Sequence, residues 1–251
     1  MKNENFLFGC GAFDVLCYVN ATEESEKEKY GKRTKEWLAL FNYGTLPFYW
    51  GTYEPTEGDV KQAEMDKCVE FLTARGVTLK GHPLCWHTVC ADWLLSYDDK
   101  TIFEKQLERI NREVSHFKGK ITYWDVINET VILPVFNKYD NAVSRICARY
   151  GRMTLIKEVF AAAKAADPEA QLLINDFNTT DKYEKVIEEC LQAGVPIDAI
   201  GIQSLSIDVE LREARNHIEE LVEDDSEWHE TLAEWLRNRD SIQIVVLLEL
   251  I

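Results

Sequence analysis

A chain of 251 residues with 46% apolar content suits one large domain and can bury a full core. Its 28 basic residues against 44 acidic ones leave a net charge of −16, which repels nucleic acid and anionic membrane surfaces and is compatible with a neutral polysaccharide. No apolar run approaches the roughly 20 residues that cross a bilayer. The seven scattered cysteines read as buried thiols rather than as a disulfide framework.

The N-terminal stretch MKNENFLFGCGAFDV is too short in apolar residues and too rich in glycine for a signal segment, so residues 6–8 are expected to open a first strand. The charged run 23–35 predicts a solvated helix. Further strand-like runs follow at 40–43, 77–80, 121–127, 171–174, 199–202 and 242–248. Between them apolar residues recur every three to four positions over 61–75, 102–116, 142–166, 182–193 and 227–237. Gly76 and Gly194 stand where a left-handed residue ends a helix, and Asp167-Pro168 stops the helix before it. Such alternation predicts parallel strands with helical crossovers in one domain over 1–251, of the α/β, (β/α)8 TIM-barrel class. Only seven strands can be counted. The last strand–helix unit is therefore expected to be missing, with the open edges available for self-association.

In a barrel of this kind chemistry sits at the C-terminal ends of the strands. Asn128 and Glu129 follow the apolar run YWDVI. A carboxyl group among apolar and aromatic walls has its charged form desolvated, which raises its pKa toward what a general acid needs. Asn128 can offer its amide to a sugar hydroxyl. Cys85, His87 and Cys90 cluster in GHPLCWHTVC, but their spacing is not a paired-ligand pattern and no second cluster completes a site. No metal or cofactor is expected.

The segment ITYWDVINET resembles the acid/base motif of glycoside hydrolase family 10, the xylanase family. GHPLCWH resembles the family's third-strand motif, LLINDFNT its fifth and IDAIGIQS its sixth. FNYGTLPFYWGTYEPTEG resembles a variant of its second-strand region, and all fall in family order across about residues 6–206. The resemblance implies a retaining endo-β-1,4-xylanase acting on xylan, with Glu129 as acid/base and a second carboxylate about 5–5.5 Å away as nucleophile. In SIQIVVLLELI the candidate nucleophile is Glu249. By the same resemblance His82, Trp86 and His87 contact the sugar beside the scissile bond. Asp176 and Asn178 support the site from the fifth strand, and Gln203 stands beside the nucleophile. The family is typically secreted, whereas no leader is read at this N-terminus.

The chain also departs from the family. TLPFYWGTYEP lacks the usual Asn and Lys grips, so Tyr49 and Trp50 are expected to replace them by stacking on sugar rings. Leu205 stands where the family has a His, Thr88 and Val89 where a Gln is common, and Leu248 where a polar residue precedes the nucleophile. These departures support a second expectation, a carbohydrate-binding protein without turnover. The Asn-Glu pair by itself also fits a cellulase or mannanase of the same clan.

Overall fold

The computed structural model describes residues 7–203 and 243–247. Glu249, Leu205, Leu248 and the helix expected over 227–237 lie outside these residues. Seven strands form one all-parallel sheet in sequential order. They are β1 (Gly9–Gly11), β2 (Tyr43–Pro47), β3 (Thr78–His82), β4 (Tyr123–Asn128), β5 (Gln171–Asp176), β6 (Ala199–Gln203) and β7 (Gln243–Leu247). The intervening helices are α1 (Phe13–Asn20), α2 (Glu24–Leu40), α3 (Trp50–Tyr53), α4 (Gln62–Thr73), α5 (Asp99–His116), α6 (Ala142–Tyr150), α7 (Arg152–Ala166) and α8 (Asp181–Gln192).

This strand–helix alternation is the (β/α)8 class, with seven of its strands among the described residues. The sheet curls. Tyr43 on β2 meets Tyr123 on β4 across the intervening strand, with ring centroids 5.8 Å apart. With Leu173 and Ala199 they form an inner apolar layer, separate from the larger core between strands and helices. Among the described residues no helix is long and apolar enough to cross a membrane.

The expected elements from 61 to 202 are found with shifts of a few residues at their ends. Gly76 and Gly194 have φ of 72° and 73°, as helix-ending glycines should. The helix expected over 142–166 is two helices, because Gly151 at φ 86° breaks it. Asn141 starts the first of them by accepting a hydrogen bond from Ser144 N at 2.8 Å.

The first two strands lie later than expected. Leu40 ends α2, and Phe41 packs outside on Phe8 and Trp37 with centroids 5.2 and 5.4 Å away, so apolar character there belongs to the outer shell. The first strand instead uses glycines. A Cβ on Gly9 would lie 1.7 Å from the Tyr43 carbonyl oxygen, so only glycine permits that approach. The short helix α1 was not anticipated.

Strand β4 turns Trp124 outward against Phe48, with centroids 5.0 Å apart. Its ring lies over Gly81, where an added Cβ would sit 2.2 Å from a ring carbon. Gly81→Ala is therefore expected to lower stability by about 1–3 kcal/mol through overpacking. Urea unfolding checks this, and an unchanged midpoint would refute the close contact.

Candidate active site

The site begins with a break in strand periodicity. Lys80 and His82 on β3 and Asp125 on β4 converge inside the curl. Asp125 Oδ2 accepts from Lys80 Nζ at 2.6 Å and lies 2.6 Å from His82 Nδ1. All three side chains are shielded from solvent. Burial pushes the Asp125 carboxyl up, but the Lys80 ammonium and His82 outweigh it and hold the group below the usual carboxylate range.

Alternation along a regular strand would turn Asn128, three residues beyond Asp125, to the opposite face. The pairing of β4 with β5 instead shifts register between Asp125 and Ile127. The extra residue restores the inward phase, as bulges beside functional sites do. Asn175 Nδ2 then reaches both Asn128 Oδ1 at 3.1 Å and Asp125 Oδ2 at 3.4 Å. Gln203 Nε2 donates to the same Asn128 oxygen at 2.9 Å. With its oxygen accepting twice, Asn128 keeps a buried Nδ2 donor that has no partner among the described residues.

Glu129 follows in the left-handed region at φ 59°. For a residue with a side chain this costs of order 1–3 kcal/mol and persists only where neighbours fix it. They do so here. Glu129 N donates to Asn175 O at 2.8 Å. Just beyond it, Asp176 Oδ2 accepts from Val131 N at 2.9 Å and from the Thr130 hydroxyl at 3.3 Å. Burial raises the Asp176 pKa in spite of these bonds. Asp176 Oδ1 also accepts from Asn178 N at 2.9 Å, while Asn178 turns its own side-chain oxygen to Thr180 at the start of α8.

The Glu129 carboxylate faces aromatic neighbours. Trp86 Nε1 donates to its Oε2 at 2.8 Å, and His87 Nε2 stands 3.5 Å from the same oxygen. Burial lowers the His87 pKa to about 4, so at neutral pH the pair is a neutral imidazole beside a carboxyl group rather than an ion pair. The Tyr49 ring meets Trp86 and His82 at 5.7 Å each, and Phe136 covers His87 at 4.1 Å.

Trp50 does not join this row. It is 5% exposed, its indole N–H donates to Glu54 Oε2 at 3.0 Å, and Arg109 lies 4.9 Å over its ring. The helical turn that begins at Trp50 sends it into the core, so the stacking surface expected of it is already occupied. Of the expected residues, the structure gathers Tyr49, His82, Trp86, His87, Asn128, Glu129 and Gln203, with Asp176 tethering the loop. Asn178 serves the next helix, and Glu249 is outside the described residues. Among the described residues no group of His, Cys, Asp and Glu is placed to hold a metal.

Sequence reasoning missed Lys80, Asp125, Asn175 and Arg109. A lysine in the apolar strand TLKGH and an aspartate in YWDVIN were a legible signal, since buried charges occur paired. Arg109 gave none. From α5 it bonds the backbone carbonyls of Phe48 and Leu84, just before Tyr49 and Cys85-Trp86. Gly51 N donates to Val89 O at 2.8 Å, tying the two loops together.

The family model for glycosyl hydrolase family 10 matches residues 48–231 of this chain, well over half of it. The chain is 31% identical over 163 residues to endo-1,4-beta-xylanase 3 of Hypocrea jecorina, an alignment covering 62% of this chain and 46% of that relative. It thus spans about half the length of that relative. Among solved structures, native xylanase 10B from Thermotoga maritima superposes with a TM-score of 0.68 at 23% identity, covering 98% of this chain and 83% of that one. Xylanase 10B from Thermotoga petrophila RKU-1, in complex with xylobiose, superposes at 0.67 with 20% identity, covering 98% and 82%. At such identities the superpositions speak to the fold.

Two expectations follow. Lys80→Met leaves Asp125 with one fewer partner in a dry site and is expected to cost about 3–5 kcal/mol in urea unfolding, against near-wild-type stability if the pair is dispensable. For His87, the folded-state pKa near 4 lies below the roughly 6.5 of an unfolded chain. The unfolded state therefore binds the extra proton between these values, and stability falls as pH drops from about 6.5 to about 4. In His87→Gln that part of the decline should vanish. Parallel pH–stability curves for the two proteins would contradict the assignment.

Proposed function

Because the chain belongs to glycosyl hydrolase family 10, we propose that it is a retaining endo-β-1,4-xylanase whose single catalytic domain over 1–251 cleaves internal bonds of xylan. The observation that carries this is Glu129: a carboxylate on a left-handed turn at the end of β4, bonded by Trp86 and set beside a tyrosine–tryptophan–histidine wall.

In this reading Glu129 protonates the glycosidic oxygen as the bond breaks, and Glu249 attacks the anomeric carbon to form a glycosyl-enzyme. Water then resolves the intermediate, with Glu129 taking its proton. Neutral His87 places no positive charge of its own against the Glu129 carboxyl group. Asn128 Nδ2 donates to a sugar hydroxyl next to the scissile bond. That contact supplies the acceptor the buried amide lacks among the described residues, and leaving such a donor unmet costs about 1–3 kcal/mol. His82, oriented by Asp125, and the faces of Trp86 and Tyr49 hold the ring. The substrate class is that of the Thermotoga petrophila relative, which is in complex with xylobiose.

Reducing-end release is measured on xylan and on carboxymethylcellulose, with Glu129→Gln and Glu249→Gln beside the parent chain. The parent is expected to prefer xylan, and Glu129→Gln to lose about 10²–10⁴-fold in turnover. Unchanged turnover in Glu129→Gln would overturn the assignment. A parent that binds xylo-oligosaccharides yet releases no reducing ends would instead be the binding protein that Leu205 and Leu248 favour.

A further inference from the structure

The aromatic row beside Glu129 continues past the residues that the sequence singles out. Phe13, the first residue of α1, lies almost parallel to Tyr49, with centroids 6.3 Å apart and an interplanar angle of 8°. Tyr49 in turn meets Trp86, whose indole holds Glu129. Phe13 is 51% exposed. Its helix reaches the core through other residues: Val15 is buried there, and Leu16 and Val19 pack against it.

The backbone is shaped for this ring. β1 ends at Gly11, where a Cβ would sit 2.6 Å from the Phe13 ring edge, so glycine makes room for the aromatic plane over the strand end. A single exposed apolar side chain is ordinary. Phe13 differs because its ring extends a surface that already runs to the candidate acid. β1 is three strands from β4, and at about 4.8 Å per strand the separation is roughly 14 Å, farther than one sugar ring spans.

We propose that Phe13, one ring beyond Tyr49, forms an outlying subsite that stacks a further pyranose unit of the same neutral β-linked chain, remote from the bond cleaved at Glu129. Sugar rings present C–H faces to aromatic planes and need no charge there, in keeping with the acidity of the chain. This rests on the xylan reading above. It adds a length preference, since short oligosaccharides held at Glu129 do not reach Phe13 and long ones do.

Calorimetry with xylobiose and with xylohexaose tests it, on the Glu129→Gln chain to suppress turnover. Adding Phe13→Ala should weaken xylohexaose about five- to tenfold and move xylobiose less than about twofold. Phe13→Trp, which keeps an aromatic face, should retain the tight xylohexaose binding. Equal affinities with and without Phe13→Ala would overturn the subsite. So would equal weakening for both lengths, or a failure of Phe13→Trp to retain binding, since these mark a packing role. A parent that binds neither oligosaccharide overturns the xylan reading itself, and the subsite with it.

Discussion

One buried oxygen organises this structure. Asp125 Oδ2 is shared by Lys80 and His82 from the neighbouring strand and is approached by Asn175 from the strand on the other side. An ionised carboxylate without solvent is tolerable only with such partners, and the attraction within the group largely offsets the desolvation it requires. Its larger consequence is geometric. The group fixes which faces of β3, β4 and β5 point inward, and therefore which side chains can meet at the mouth.

The shift of register after Asp125 carries that constraint to the chemistry. Without it Asn128 would face the helices, and Asn175 and Gln203 could not converge on its oxygen. Glu129 is then forced into a left-handed turn, and one backbone bond to β5 together with the Asp176 carboxylate holds the turn in place. The strain is balanced locally, by elements that also carry the ring of polar contacts below it.

The aromatic wall has a separate support. Arg109 reaches from α5 to the carbonyls of Phe48 and Leu84, so one cation anchors the loops that present Tyr49 and Trp86. Two rigid devices, an ionic group inside the curl and a cation outside it, thus position opposite sides of one site. A barrel suits this division because its strand ends form a fixed frame from which short loops can vary.

The alternation of apolar runs determined the parallel sheet and its order, because strand and helix periods differ and each element buries one face. The pair Asn128-Glu129 likewise marked the site, since polar residues directly after a buried strand emerge at the mouth, whereas His82 and Asp176 were marked by their resemblance to family motifs. Tertiary structure alone decided the rest. Whether Trp50 or Tyr49 joined the wall depended on where one short helix began, and neither residue type nor spacing encodes that. The inward turn of Asn128 depended on a register shift that exists only when β4 pairs with β5. Phe13 and Arg109 gained their places through contacts 36 and 61 or 25 residues away in the chain. Such long-range neighbours are set by how the sheet curls, and a linear pattern of hydrophobicity carries no record of that curvature.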